Sequence, residues 1–264
     1  MFWSTRGVYS SPMLQGDLDR LTSFYQDKGF MDFTIESTQV SLSKNKEEVY
    51  ITININEGKQ YIVEKIHVSG KLIAPIQEIA ELIEIKTGEY ISKSKILQST
   101  ENIKARLGEE GYAFSRINAV PGKTKDDDTV DVNFFIDPGT RAYVRRINIS
   151  GNITTQDEVL RREIRQMEGG WYSSDAITLS KKRLKRLAYI ENVIFEEVRV
   201  PGSANKVDLN VRVKEKLSGN FNIGAGLGGS GTGLSLSAGI EQDNFLGFGS
   251  KVAVNVDTGK TSRY

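Results

Sequence analysis

Tyr61-Ile62-Val63-Glu64-Lys65-Ile66-His67-Val68-Ser69-Gly70 returns 81 to 82 positions later as Tyr143-Val144-Arg145-Arg146-Ile147-Asn148-Ile149-Ser150-Gly151. Each is an alternating apolar and polar run, the period of a half-buried strand, and each stops at Ser-Gly. A fixed internal period marks a repeat architecture, so the neighbours of the two runs are read together. A first helix is expected after each: Pro75 to Ile85, and Gln156 to Met167. The latter opens on Thr155-Gln156-Asp157-Glu158, the pattern of a capping box. A glycine break follows, Gly88 or Gly169-Gly170, and then a second helix. Ile96, Thr100, Ile103 and Leu107 fall at helical spacing before Gly111-Tyr112, as Leu14, Leu18, Leu21 and Tyr25 do before Gly29-Phe30. A third such helix is expected from Ser173 to Leu187.

Two alternating strands close each unit: Phe33 to Leu42 with Val49 to Ile55, Ala113 to Val120 with Val130 to Asp137, and Val193 to Val200 with Val207 to Val213. The polar links 123–128 and 202–205 suit hairpins. The order is βααββ, an α+β fold in which two helices cover one face of a three-stranded sheet. The first copy lacks its opening strand and most of its first helix, so Met1 is expected to be an internal or artificial start. The divisions are 1–59, 60–139, 140–216 and 217–264.

After Lys216 the pattern changes. Phe221, Ile223, Ala225 and Leu227 alternate with Asn220, Asn222, Gly224 and Gly226. Leu234, Leu236, Ala238 and Ile240 alternate with Ser235, Ser237, Gly239 and Glu241, and Val252, Val254 and Val256 with Lys251, Ala253 and Asn255. Segments of about ten residues with one apolar and one small or polar face match the strands of a transmembrane barrel. A soluble meander with its apolar face packed inward has the same period. The smallest barrels have about eight strands, so a barrel here would be truncated at Tyr264.

Composition narrows the functions. The chain has 264 residues, 35 Lys and Arg against 34 Asp and Glu, one histidine and no cysteine. Charge balance gives no whole-chain argument for nucleic acid. Without cysteine there are no disulfides, thiolate metal sites or cysteine nucleophiles. His67 reads as an exposed strand residue with no second ligand at a usual metal spacing. No signal peptide is visible, and no run approaches the ~20 apolar residues of a membrane helix. Gly226-Leu227-Gly228-Gly229-Ser230-Gly231 has dinucleotide-loop spacing, but a strand-like run follows where a helix is needed. The Gly-Lys-Thr triplets at Gly122 and Gly259 lack the earlier P-loop glycine, and Asp126-Asp127-Asp128 lacks the glycine and distal glutamate of a calcium loop. No catalytic residue, cofactor or metal is assigned, and the chain is not read as an enzyme. Residues 141–216 hold 16 Lys and Arg against 10 Asp and Glu. Lys181, Lys182, Arg183, Lys185 and Arg186 form either a solvated helix face or a surface for acidic headgroups or an acidic partner.

The repeats resemble POTRA domains, the polypeptide-transport-associated modules of the outer-membrane assembly family. The resemblance rests on repeat order and on three tracts: Arg161-Arg162-Glu163-Ile164-Arg165-Gln166-Met167-Glu168-Gly169-Gly170-Trp171, Val213-Lys214-Glu215-Lys216, and Gln242-Asp243-Asn244-Phe245-Leu246-Gly247-Phe248-Gly249. It covers nearly the whole chain. It implies the end of a third repeat, a fourth, a fifth, and the beginning of a sixteen-stranded barrel. The implied protein sits in the outer membrane of a Gram-negative bacterium with its repeats in the periplasm. It would bind unfolded outer-membrane proteins and insert them into the lipid. Two other readings remain open: a superfamily relative that exports one substrate or assists autotransporters, and a soluble periplasmic scaffold. Client strands are expected to add to the first hairpin strand of a repeat, around Phe33 and Ile35 and around Ala113, Ser115 and Ile117, unless neighbours blunt those edges. The resemblance places a lipoprotein partner, BamD among others, on the third unit. Arg162, Arg165 and Glu168, at i, i+3 and i+6 of its expected first helix, are the candidate contacts, with intrahelical pairing as the other reading. Asn220, Asn222, Gly224, Gly226 and Gly228 are expected to form the barrel seam, either as a weak closing strand or as glycines that permit curvature and close packing.

Overall fold

The structure is a computed structural model that describes residues 9–44, 48–124, 128–227 and 234–258. Residues 125–127, 228–233 and 259–264 are outside the described residues. With them go Asp126-Asp127, the Gly259 triplet, part of the dinucleotide-like loop, and Gly228. The chain divides into two compact units, residues 1–107 with 115–139, and residues 108–114 with 140–264.

In the first unit, α1 (Ser11–Asp27) precedes the antiparallel pair β1 (Thr34–Leu42) and β2 (Val49–Asn56). Then follow β3 (Ile62–Gly70), α2 (Ile76–Glu81), α3 (Lys93–Glu109), β4 (Arg116–Lys123) and β5 (Thr129–Asp137). Sheet order is β3-β5-β4, with β3 parallel and β4 antiparallel to the central β5. The carboxylate of Asp27 caps the start of α3, accepting from Ser94 N at 2.7 Å and Ser92 Oγ at 3.1 Å.

The second unit repeats the design with β6 (Tyr143–Ser150), α4 (Asp157–Arg161), α5 (Ser174–Lys185), β7 (Ile190–Arg199) and β8 (Lys206–Glu215), in sheet order β6-β8-β7. Its core is one apolar cluster that includes Val144, Leu160, Leu184, Leu209 and Val211. The strand-ending glycines are obligatory. Gly70 and Gly151 have φ of +99° and +87°, and a Cβ on either would collide with the carbonyl of Ile136 or Val213 in the central strand. His67 lies exposed on β3, 3.7 Å from Asp131, and Gly122-Lys123 lies within β4 rather than in a loop before a helix.

The first helix of each repeat is shorter than its apolar pattern predicts. α2 ends at Glu81 rather than Ile85, and α4 at Arg161 rather than Met167. The cause lies in the second helix. Buried Ser99 and Ser180, 81 positions apart, each donate to the carbonyl one turn back, Lys95 O at 2.6 Å and Ala176 O at 2.5 Å. Each hydroxyl then accepts from Glu84 N or Arg165 N at 2.8 Å. Those amides serve a tertiary bond instead of a helical one, so the helix unwinds into the glycine break. The expected capping box is also absent. The residue preceding α4 is Gln156, which makes no side-chain cap, and Thr155 is engaged elsewhere.

After β8 come β9 (Gly219–Leu227), β10 (Leu234–Phe245) and β11 (Ser250–Thr258), an antiparallel meander in the order β9-β10-β11. Register sets Phe221, Ile240 and Val254 side by side, then Ile223, Ala238 and Val256, on one face. The other face carries Asn222, Gly239 and Asn255, then Gly224, Ser237 and Asp257.

Candidate functional site

The hairpin-first strands do lie at sheet edges, and the residues along them differ from the expected set. β4 begins at Arg116. Ala113 and Ser115 precede it, Ser115 is buried, and Ala113 with Phe114 packs against the apolar cluster of the third repeat, where Arg199 covers the Phe114 ring at 4.0 Å. Neither Ala113 nor Ser115 is therefore on an open edge. Phe33 is buried just ahead of β1, stacked on Tyr25 at 4.3 Å between ring centroids, and Ile35 sits at a bulge. Ile117 lies on the edge strand β4. Thr124 N bonds to Thr129 O, and with alternating pairs this turns the outer backbone groups of Ile117 and Ala119 away from β5. Pro121 has no N–H to offer at the next outward position, which limits pairing to the start of the strand. Beside this edge lies an apolar groove of about 290 Å³, lined by Ile91, Ile96, Leu97, Ala119 and Pro121 with Met31.

Arg162, Arg165 and Glu168 do not share a helical face, because α4 ends at Arg161. Arg162 caps α4 and reaches toward the β10–β11 turn, where its guanidinium lies 2.7 Å from the place of a Cβ on Gly249. Arg165 is exposed in the segment that follows. Glu168 crosses to β6, accepting from Ile147 N at 2.7 Å and lying 3.5 Å from Arg161. Arg161 donates to Ile147 O at 3.0 Å. Of the basic cluster, Arg183 is paired to Glu163 at 2.8 Å, whereas Lys181, Lys182 and Lys185 are exposed.

Asn220, Asn222, Gly224 and Gly226 lie on β9, which pairs with β10 alone among the described residues. Gly224 makes room for Ser237, whose Oγ lies 2.6 Å from the place of a Cβ. Gly239 likewise sits between the amides of Asn222 and Asn255. On the apolar face Phe221 is 67%, Ile223 74% and Val254 60% exposed.

One arrangement was not expected from the sequence. The β10–β11 turn is seated on the start of α4. Gln156 N donates to Gly247 O at 3.0 Å, and Asn244, 5% exposed, donates from Nδ2 to Thr155 Oγ1 at 2.8 Å. Asn244 Oδ1 also accepts from Gly249 N at 2.7 Å, closing the turn on itself. Gly247 has φ +81°, and a Cβ there would collide with the Thr154 carbonyl. From the other side Glu215, the last residue of β8, accepts from Ile153, Thr154 and Thr155 N at 3.1, 2.9 and 2.8 Å. Burial pushes its carboxyl up, but hydrogen bonds from Thr155, Thr154 and Ile153 outweigh this and hold it below the ordinary value. The only advance sign was Asn244-Phe245-Leu246-Gly247-Phe248-Gly249, more glycine than a plain hairpin turn requires.

A sheet covered by two helices on one side, repeated in tandem and joined to an antiparallel meander, defines a class of modular α+β proteins. Residues 3–58, 61–139 and 142–216 match POTRA, described as a surface antigen variable number repeat, and the chain belongs to that family. It is similar to the outer membrane protein assembly factor BamA of Neisseria meningitidis serogroup B, 35% identical over 98% of this chain and 33% of that protein. It is also similar to BamA of Buchnera aphidicola, 33% identical over 98% of this chain and 42% of that protein. The crystal structure of POTRA3-5 of Haemophilus influenzae BamA superposes with a TM-score of 0.73 at 32% identity, over 81% of this chain and 84% of that one. BamA of Haemophilus ducreyi lacking POTRA domains 1-3 gives 0.63 at 38% identity, over 75% of this chain and 37% of that one. The chain spans about a third to two fifths of the length of the curated relatives. These relatives are outer membrane protein assembly factors.

Glu215→Gln sets an amide NH₂ against backbone donors. It should cost about 1.5–3 kcal/mol at neutral pH, read from the denaturant midpoint of the third repeat. The carboxylate's contribution is complete above the ordinary value of 4.5 and is lost as pH falls through the lower folded value. The gap between native protein and variant should therefore be constant above pH 4.5 and narrow below it. A gap absent at neutral pH would contradict the assignment.

Proposed function

We propose that the chain is the part of an outer-membrane protein assembly factor where periplasmic repeats meet the barrel. On this reading residues 1–59 are the end of a third POTRA, 60–139 a fourth, 140–216 a fifth, and 217–264 the first barrel strands. The observation that carries it is the meander's apolar face, uncovered across all three strands and anchored to the last repeat through the β10–β11 turn. Uncovered apolar residues on alternate positions suit lipid, whereas a soluble meander would pack them. The likeness to a BamA structure that keeps its later repeats supports the same reading. The activity is binding and membrane insertion without bond chemistry.

Clients are unfolded outer-membrane proteins. They pair with repeat edges such as the start of β4, through backbone hydrogen bonds that demand little of sequence. β9 is the seam. Gly224 seats Ser237, and glycines lower the strand's stability by about 0.5–1 kcal/mol each relative to alanine. A weak edge strand can exchange its barrel partner for a client strand at little net cost, because client groups replace the lost bonds. Single cysteines at Asn220, Asn222, Gly224 and Gly226 of the full-length protein should crosslink to a stalled client at alternating positions. A working barrel with no crosslinks along β9 would contradict the seam.

A periplasmic lipoprotein, of which BamD is the family's example, docks on the third repeat near Arg165 and Glu168. Glu168 has a structural role on β6, so the test uses two variants. Glu168→Gln keeps an acceptor for Ile147 N, and Glu168→Lys does not. Lipoprotein pull-down should fall with Glu168→Lys; retention would exclude this contact, and equal loss with Glu168→Gln would show that the charge itself is read.

A further inference from the structure

The two complete repeats close the outer edge of their opening strand differently. Both strands carry a bulge at the same place, between Val63 and Lys65 and between Val144 and Arg146. In both, the residue before the bulge is closed by the glycine break: Val63 by Gly88 and Glu89, Val144 by Gly169 and Gly170. The next outward-facing residue is Ile147 in the third repeat and, by the same register, Ile66 in the second. Ile147 is covered. Glu168 accepts from its N–H and Arg161 donates to its carbonyl, and the residue is 4% exposed. The positions equivalent to Arg161 and Glu168, 81 residues earlier, are Ala80 and Thr87, too short and uncharged to do the same. Ile66 is only partly buried. Its groove is lined by Ile66, Val68, Ile76, Ala80, Ile83 and Thr87 and measures about 500 Å³, against about 320 Å³ for its counterpart.

We propose that this groove between β3 and α2 takes a short extended polypeptide segment, paired to the outer backbone groups of Ile66 and Val68. The third repeat shows what the position requires. Arg161 and Glu168 together offer one donor and one acceptor to one residue of an edge strand, which is what a neighbouring strand offers. A lipid chain could fill the apolar walls but would leave the N–H and carbonyl of Ile66 without partners. A helix has already spent its backbone groups within itself. An extended chain satisfies both demands, with apolar side chains on alternate residues against Ile76 and Ile83. Closure of Val63 by Gly88 and Glu89 limits the added strand to a few residues beyond the bulge. This site is separate from the β4 edge, on the opposite side of the same sheet. It rests on the proposed client-binding function and adds a second docking position to it.

The test grafts the third repeat's closure onto the second. In the full-length protein in a lipid nanodisc, a photo-crosslinking amino acid replaces Glu81 at the groove rim or, separately, Val120 on β4. The probe is a synthetic peptide of alternating valine and glutamine. The pair Ala80→Arg with Thr87→Glu should reduce crosslinking at 81 at least tenfold and leave crosslinking at 120 unchanged. Ala80→Arg alone, which supplies only the donor, should give a smaller loss, and an unchanged melting temperature shows that the fold is intact. Undiminished crosslinking at 81 in the paired variant would overturn the groove proposal. So would crosslinking at 120 with none at 81 in the unmodified protein, and that result would leave client binding at β4 standing. No crosslinking at either position would overturn both.

Discussion

The start of α4 has no means of holding itself together. A helix of five residues lies far below the length that is stable in isolation, and its first amides have no partners within it. The four amides just before it, Ile153 to Gln156, are held by two other elements: the carboxylate of Glu215 at the end of β8 and the carbonyl of Gly247 in the β10–β11 turn. Asn244 completes the joint by binding Thr155 and closing its own turn. The third repeat and the meander thus share the hydrogen bonds that fix the approach to α4. A force on the repeat reaches the meander through this joint as well as through the three residues linking β8 to β9. On the proposed function, that couples events on the periplasmic repeat to the first strands of the barrel.

The same economy governs sheet edges. Every βααββ sheet leaves two, because the central strand is the last in sequence. Three of the four edges of the complete repeats carry local devices: Pro121 on β4, the glycine break on β3 and β6, and the Arg161–Glu168 pair on β6. On the proposed function, what a repeat can bind follows from which of these it lacks. Two repeats of one fold can therefore differ in partners without differing in architecture.

The repeat was legible because it is written in local periodicity. The paired strand runs, the second-helix spacing and the strand-ending glycines all survive in sequence, and the meander's alternation predicts the faces that register later lines up. What was illegible depends on bonds between distant residues. Apolar spacing through Ile83 and Ile85, or Ile164, extends the first helix on paper. Ser99 and Ser180 stop it by taking the amides of Glu84 and Arg165. Thr155 looks like a helix cap until Asn244, 89 positions away, claims its hydroxyl. Arg162, Arg165 and Glu168 formed one face only while that helix was assumed to continue. Ala113 and Ser115 alternate like a strand, but Phe114 is drawn into the next repeat's core.

The joint at α4 is the claim on which coupling of repeat to barrel depends, and amide hydrogen exchange of the full-length protein in nanodiscs reads it directly. If the joint holds, Ile153, Thr154, Thr155 and Gln156 exchange as slowly as the amides of β6 and β8, and Asn244→Ala speeds Gln156 together with the β10–β11 turn. Rapid exchange of these four amides in the unmodified protein, at the rate of a frayed helix start, would contradict it.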